Sequence, residues 1–177
     1  MDLFSCLETL CASPSAGGIP VASKAAENLL REYAGEVRTD SLGNVFGIRR
    51  GNGDNLPMVM LEAHIDEVGF LVTSVDDEGF VRVAPCGGVD RRTLSACEIT
   101  FWADNPIHGV FCSIPPHLAS EDKDKLPEIT DMAVDVGLPA EQARELLPAG
   151  TRGTFRSELR RFRTSARGWR ASCWTGA

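Results

Sequence analysis

Met58-Val59-Met60-Leu61-Glu62-Ala63-His64-Ile65-Asp66-Glu67-Val68-Gly69-Phe70 is the stretch on which the reading of this chain turns. Its first four residues are apolar without alternation, which predicts a strand buried on both faces, as in an α/β sheet. That strand runs into Ala63-His64, and open α/β sheets bind ligands outside the carboxyl ends of their strands. His64 and Asp66 stand two apart, so on an extended segment they point the same way. Asp66 can then accept the spare imidazole N–H of His64 and fix which ring nitrogen faces a metal. Taken alone, a His-x-Asp pair is a weak motif, and a strand-end histidine beside an exposed aspartate is its simpler reading.

Upstream of this stretch, Leu3, Phe4, Leu7, Leu10 and Cys11 recur at helical spacing and predict an amphipathic opening helix. A second helix follows Pro20, with Val21, Ala22, Ala25, Ala26, Leu29, Leu30 and Tyr33 on one face and Gly35 as its stop. Glu36–Thr39 and Val45–Ile48 read as strands separated by the turn Asp40-Ser41-Leu42-Gly43-Asn44. From Val68 onward the texture changes. Short candidate strands at Gly69–Ser74, Phe80–Ala84, Cys97–Trp102, His108–Ser113, Met132–Val136 and Thr154–Arg156 predict a small β-barrel or sandwich. One helix, opened by Pro139 and ending near Leu146 and Leu147, interrupts them.

Composition narrows the function classes. Of 177 residues, 43% are hydrophobic and 24% charged, in the range of a globular chain. Residues 1–150 carry 11 Lys and Arg against 24 Asp and Glu, a balance of −13, which argues against a nucleic-acid partner. Residues 151–177 carry 7 Arg against Glu158 alone. No apolar run is long enough to span a membrane, and the first dozen residues lack the basic start of a signal peptide. Six cysteines without a Cys-x-x-Cys pair suit reduced, mostly buried thiols and a cytoplasmic protein.

Read as a set, several stretches resemble one family. Glu62 to Phe70 is similar to the Ala-His-x-Asp-Glu-Val-Gly-Phe signature of the tetrahedral aminopeptidases, which include glutamyl, leucyl and deblocking enzymes and some labelled endoglucanases. Asp40 to Asn44 resembles the family's Asp-x-Leu-Gly-Asn turn, and Gly87-Gly88-Val89-Asp90-Arg91-Arg92-Thr93-Leu94 resembles its Gly-Gly-x-Asp-x-Arg-x-Leu segment. Pro115-Pro116-His117-Leu118 and Asp135-Val136-Gly137 are similar to two further landmarks, in the same order. The resemblance implies an α/β fold, a partial metallopeptidase catalytic domain with an inserted β-barrel dimerisation domain. Residues 1–67 would be the N-terminal part of the catalytic domain, 68–160 the inserted barrel, and 161–177 an aberrant tail.

By the same resemblance His64 would be a metal ligand and Asp66 its catalytic-site support, in an enzyme using two divalent ions, zinc or cobalt. It implies peptide substrates and a homo-oligomer; Glu67 lies close to the site without an assigned role. The family's remaining ligands, a bridging aspartate, a glutamate pair, a further carboxylate and a second histidine, would fall after the barrel. A catalytic zinc takes three protein ligands. His108 and His117 both fall in the β region, where a structural or surface role is the simpler expectation. The chain as given is therefore expected to be inactive and, with its α/β faces uncovered, poorly soluble. A non-catalytic oligomerisation or binding module is the alternative. A cysteine hydrolase built on Cys112 and His117 lacks any elbow or orienting motif.

The tail suggests a shifted reading frame. Trp174 must be encoded TGG and Thr175 must begin AC, so the frame starting at each third base contains GAC, aspartate. Cys173 joined to Trp174 forces leucine in that frame. The shifted frame can read Val-Ala-Gly-Lys-Leu-Leu-Asp-Gly-Arg, which resembles the family's Gly-Lys-Ala-Leu-Asp-Asp-Arg segment with its bridging aspartate. A frameshift after about Phe162 is the expectation.

Overall fold

A computed structural model describes residues 2–112, 127–156, 159–163 and 169–172. These divide into two compact units: residues 2–66 with 159–163 and 169–172, and residues 67–112 with 127–156.

The first unit opens with helix α1 (Leu3–Cys11), capped by Asp2, whose carboxylate accepts from the Ser5 backbone N–H at 3.0 Å. Helix α2 (Val21–Leu30) follows Pro20 and buries Ala22. It ends at Leu30, three residues before Tyr33, which the periodicity had placed on the helix. Strands β1 (Glu36–Thr39) and β2 (Val45–Ile48) pair antiparallel as a two-stranded ribbon, with Glu36 opposite Ile48 and Thr39 opposite Val45. Gly47 lets the ribbon approach α2: a Cβ there would meet the Leu30 and Ala34 side chains at 3.2 and 3.3 Å. Near the other end of the chain, β9 (Arg160–Arg163) and β10 (Trp169–Ser172) form a second antiparallel pair.

The second unit is a closed antiparallel barrel in the order β3-β4-β7-β6-β5-β8. Its strands are β3 (Gly69–Val75), β4 (Val81–Cys86), β5 (Glu98–Trp102), β6 (Pro106–Phe111), β7 (Ala133–Asp135) and β8 (Arg152–Phe155). Helix α3 (Ala140–Leu146) lies between β7 and β8. The β3–β4 hairpin turns through Asp76-Asp77-Glu78-Gly79, where Gly79 takes a φ of 95° and stands 2.6 Å, at its Cβ position, from the Leu138 carbonyl. Arg144 on α3 reaches this turn, donating to the Asp76 carbonyl at 3.0 Å and to the Asp77 carboxylate at 2.6 Å.

Inward alternation supplies the core: Phe70, Val72, Val81, Val83, Ile99, Phe101, Phe111, Val134 and Phe155, joined by Leu94, Ile129, Met132 and Leu147 from outside the strands. Phe70 packs between Phe111 and Phe155, with ring centroids 4.9 and 5.1 Å away. On the opposite face Thr100 and Thr154 are also almost fully buried, because larger side chains hydrogen-bond to them. The Trp102 indole donates to the Thr154 hydroxyl at 3.0 Å, and His108 Nδ1 lies 3.0 Å from that of Thr100. The sequence left barrel and sandwich open; closure settles it as a barrel.

Met58–Leu61 is a correction. Residues 56–68 contain neither helix nor strand, and Met58, Val59, Met60 and Leu61 are 96, 79, 76 and 94% exposed. A strand requires a neighbour on its hydrogen-bonding edge, and among the described residues none pairs with this run. Cys6, Cys11, Cys86, Cys97 and Cys112 are half-buried rather than fully buried. Among the described residues no helix is long and apolar enough to cross a membrane.

Candidate functional site

The candidate site residues lie in three local structures. The first is the His64–Asp66 pair at the end of the irregular segment. His64 Nδ1 stands 3.0 Å from the Asp66 backbone carbonyl and 3.3 Å from its carboxylate Oδ1. Both acceptors therefore bias Nδ1 to carry the proton, which leaves Nε2 with its lone pair unengaged. The sequence anticipated a carboxylate contact, and the backbone carbonyl of the same residue lies nearer still. Both side chains are open to solvent.

One imidazole and one adjoining carboxylate do not hold a catalytic divalent ion, which takes three protein ligands. Among the described residues no group of three or more His, Cys, Asp or Glu side chains gathers where an ion could sit. His64 fits the role of a single terminal ligand, and the rest of a metal site is not formed by these residues.

The second structure is the Asp40–Asn44 turn between β1 and β2. The Asp40 carboxylate accepts from the Leu42 N–H, the Asn44 N–H and the Asn44 side-chain amide, each at 2.9 Å. The Asn44 amide leads these contacts in holding the Asp40 carboxyl below the usual carboxylate range. Gly43, at a φ of 90°, presents its carbonyl to Ser23 on α2 at 2.8 Å. The motif thus builds a rigid turn tied to a helix.

The third is the segment Gly87–Leu94 of the barrel unit. Asp90 caps the short helical turn Arg91–Thr93 by accepting from the Arg92 N–H at 3.0 Å. It also grips the Arg92 guanidinium, with 2.9 Å from Nε to Oδ1 and 2.6 Å from Nη2 to Oδ2. That guanidinium, followed by the Arg92 backbone N–H, holds the Asp90 carboxyl down at about 2. The sequence reading gave this pair no role. Its signal is an Asp-x-Arg spacing at a helical turn, which brings the arginine back over the aspartate that caps it.

The other candidates stand apart. His108 lies on β6 and is engaged with Thr100. Burial pushes the Cys112 thiol up, opposite to the shift that activates a cysteine nucleophile. His117, the Pro115–Leu118 motif, Glu158 and the tail residues Cys173, Trp174 and Thr175 lie outside the described residues.

Known proteins resemble this chain in sequence and fold. The M42 glutamyl aminopeptidase family matches residues 43–174. The lysyl aminopeptidase of Pyrococcus furiosus is 38% identical over 140 residues, covering 76% of this chain and 40% of the relative. Among solved structures, a TET aminopeptidase from a marine sediment Thaumarchaeota archaeon superposes with a TM-score of 0.81 at 27% identity. That match covers 90% of this chain and 46% of the other. The TET1 peptidase of Pyrococcus horikoshii, described as able to assemble into a tetrahedron or a large octahedral shell, gives 0.75 at 25% identity, covering 90% and 48%. The chain spans about two fifths of the length of the curated relatives it matches. With a match across most of its length, the chain belongs to the M42 glutamyl aminopeptidase family.

Proposed function

We propose that this chain supplies the His64 arm and the β-barrel of a metal-dependent aminopeptidase that removes N-terminal residues from peptides, and that alone it does not catalyse. The observation that carries this reading is the His64–Asp66 pair, in which Nδ1 is held and Nε2 is left for a metal. In the complete enzyme two divalent ions, zinc or cobalt, would activate water for attack on the peptide bond. Here His64 would be a metal ligand and Asp66 its positioning partner. The test is direct. The purified chain, loaded with zinc or cobalt, is expected to release no amino acid from aminoacyl p-nitroanilides and to hold no stoichiometric pair of ions by elemental analysis. Two tightly held ions together with turnover would sink the reading.

Assembly into a homo-oligomer through the barrel is part of the same proposal, supported by the shells described for the P. horikoshii relative. Thiols outside any disulfide at Cys6, Cys86, Cys97 and Cys112 fit a cytoplasmic setting. Residues 161–177 are proposed to be translated out of frame, an idea that rests on the forced Leu-Asp codons at Cys173–Thr175. The family match itself runs on to residue 174. Nucleotide sequencing across codons 155–177 tests the idea, and a stop codon soon after in every frame would end it. The second reading, a non-catalytic oligomerisation module, is favoured by one feature: the barrel closes on itself and needs no further strand.

A further inference from the structure

Gly51-Asn52-Gly53-Asp54 lies just past β2, and all four residues are exposed and outside helix and strand. Asn52-Gly53 is the one Asn-Gly pair in the sequence. An asparagine side-chain amide is an electrophile within reach of the next residue's backbone nitrogen, because attack there closes a five-membered ring. Two conditions govern that attack: the nitrogen must be released from any hydrogen-bond ladder, and its residue must let the backbone turn, which glycine does at the least steric cost. Both hold here. Among the described residues no hydrogen bond engages the Gly53 N–H or the Asn52 side chain. Water reaches the pair, since Leu56, the side chain a Cβ at Gly53 would meet, is 57% exposed. The other asparagines each lack a condition. Asn44 ties its amide to Asp40 and precedes the β-branched Val45, Asn28 lies within α2, and Asn55 precedes the bulky Leu56. Asn105 precedes Pro106, whose nitrogen carries no proton to lose.

We propose that Asn52 is a self-modifying site, which the Gly53 backbone nitrogen converts to isoaspartate and aspartate without an enzyme. The Gly53 nitrogen gives up its proton and bonds to Asn52 Cγ. The bond from Cγ to the side-chain nitrogen breaks, and that nitrogen takes up a proton and leaves as ammonia. The resulting succinimide is then opened by water. Attack at Cγ restores the ordinary chain with aspartate at position 52. Attack at the backbone carbonyl instead leaves the chain running through Cγ, with a free α-carboxylate and one extra methylene in the main chain. Nothing is oxidised or reduced in either branch, and each adds one negative charge to the formal −7. The β-linked α-carboxylate is the chemical class that an S-adenosylmethionine-dependent protein carboxyl methyltransferase takes. Such an enzyme moves the sulfonium methyl to the carboxylate oxygen and releases S-adenosylhomocysteine. This chemistry does not depend on the aminopeptidase reading.

The test ages the 177-residue chain in neutral buffer and follows each asparagine by peptide mapping and mass spectrometry, with the same chain unfolded in guanidinium as reference. Asn52 is expected to lose its amide faster than Asn28, Asn44, Asn55 and Asn105, and within about tenfold of its rate in the unfolded chain, because no local structure protects it. Electron-transfer fragmentation is expected to find isoaspartate among the products, and a protein isoaspartyl methyltransferase with S-adenosylmethionine is expected to methylate the aged chain. Gly53→Ala tests the route. Gly53 lies outside the left-handed region, and a Cβ there would meet Leu56 at 3.5 Å, an ordinary contact, so the fold accepts alanine. The substitution is expected to slow the loss at Asn52 by at least about tenfold, since a Cβ hinders the approach of the nitrogen. Four results overturn the proposal: a folded-chain rate below that tenfold window, another asparagine reacting as fast, aspartate without isoaspartate, or a Gly53→Ala chain that reacts at the original rate. Isoaspartate that takes up no methyl overturns the methyltransferase as its partner.

Discussion

The barrel unit and the α/β unit draw on similar amounts of apolar sequence, and they end in opposite conditions. In the barrel every strand has two neighbours, so inward residues such as Phe70, Val83 and Phe101 reach full burial. In the α/β unit the ribbon β1–β2 covers part of α2, while Leu3, Val21 and Met58–Leu61 stay open. The difference lies in hydrogen-bond closure. A sheet that satisfies its own edges carries its core with it, whereas an open α/β layer needs further strands and helices to cover its faces.

The contrast is broken most forcefully from the barrel side. Phe70→Ala removes a ring packed against Phe111 and Phe155 and should cost about 3–5 kcal/mol, read as a lowered midpoint in urea unfolding. An unchanged midpoint would mean that the barrel is not the cooperative core of this chain. Gly153→Val is expected to cost less, about 1–3 kcal/mol by overpacking. A Cβ at Gly153 would stand 2.9 Å from Ile99 Cδ1 and 3.0 Å from Phe101 Cδ1, both fully buried and unable to withdraw easily. Thr154→Val leaves the Trp102 indole N–H without its acceptor, a loss of about 1 kcal/mol. Trp102→Phe in the Thr154→Val background should then add little, since the pair is lost once.

What the sequence made legible follows the same line. Short apolar runs separated by turn signals marked all six barrel strands to within two or three residues, because each strand is brief and bounded by a turn. Helical spacing marked α1 and α2, and the Asp40–Asn44 turn placed β1 and β2 at the bounds observed. Met58–Leu61 misled because an apolar run reports a capacity for burial and says nothing about whether a neighbour is present. The contact of His64 with Asp66 was legible because two residues apart is a local relation. The Trp102–Thr154 bond joins residues 52 apart and has no local signal at all. Asp90 with Arg92 is local, but its geometry depends on a helical turn too short to announce itself in periodicity.

Acid should sharpen the comparison within the barrel unit. The Asp90 carboxyl is held at about 2 by Arg92, below the ordinary value near 3.9 for an unfolded aspartate. A depressed carboxyl contributes stability that is present above the unfolded value and is lost as pH falls through the folded one. The Asp90 contribution should therefore fade between about pH 4 and pH 2. Carbon NMR of the Asp90 side chain should show a midpoint near the lower limit, and Arg92→Ala should move it back toward the ordinary range. A midpoint unmoved by that substitution would show that the guanidinium grip is not what holds the carboxyl down.

The smallest expected effect tests the other unit. Leu61→Ser replaces a large apolar side chain, and in a packed core such a change costs several kcal/mol. In this chain Leu61 is 94% exposed, so the same substitution should shift unfolding by no more than about 0.5 kcal/mol. Solubility should rise at the same time, because part of an open apolar run has been removed. A loss approaching that of Phe70→Ala would require Leu61 to be covered in solution by residues of this chain or of a second copy. The two cases separate by concentration, since burial against a second copy strengthens as the protein is concentrated and burial within one chain does not. Near-silence of Leu61→Ser beside a large loss at Phe70 would establish that this chain keeps one core of its own and holds the other open.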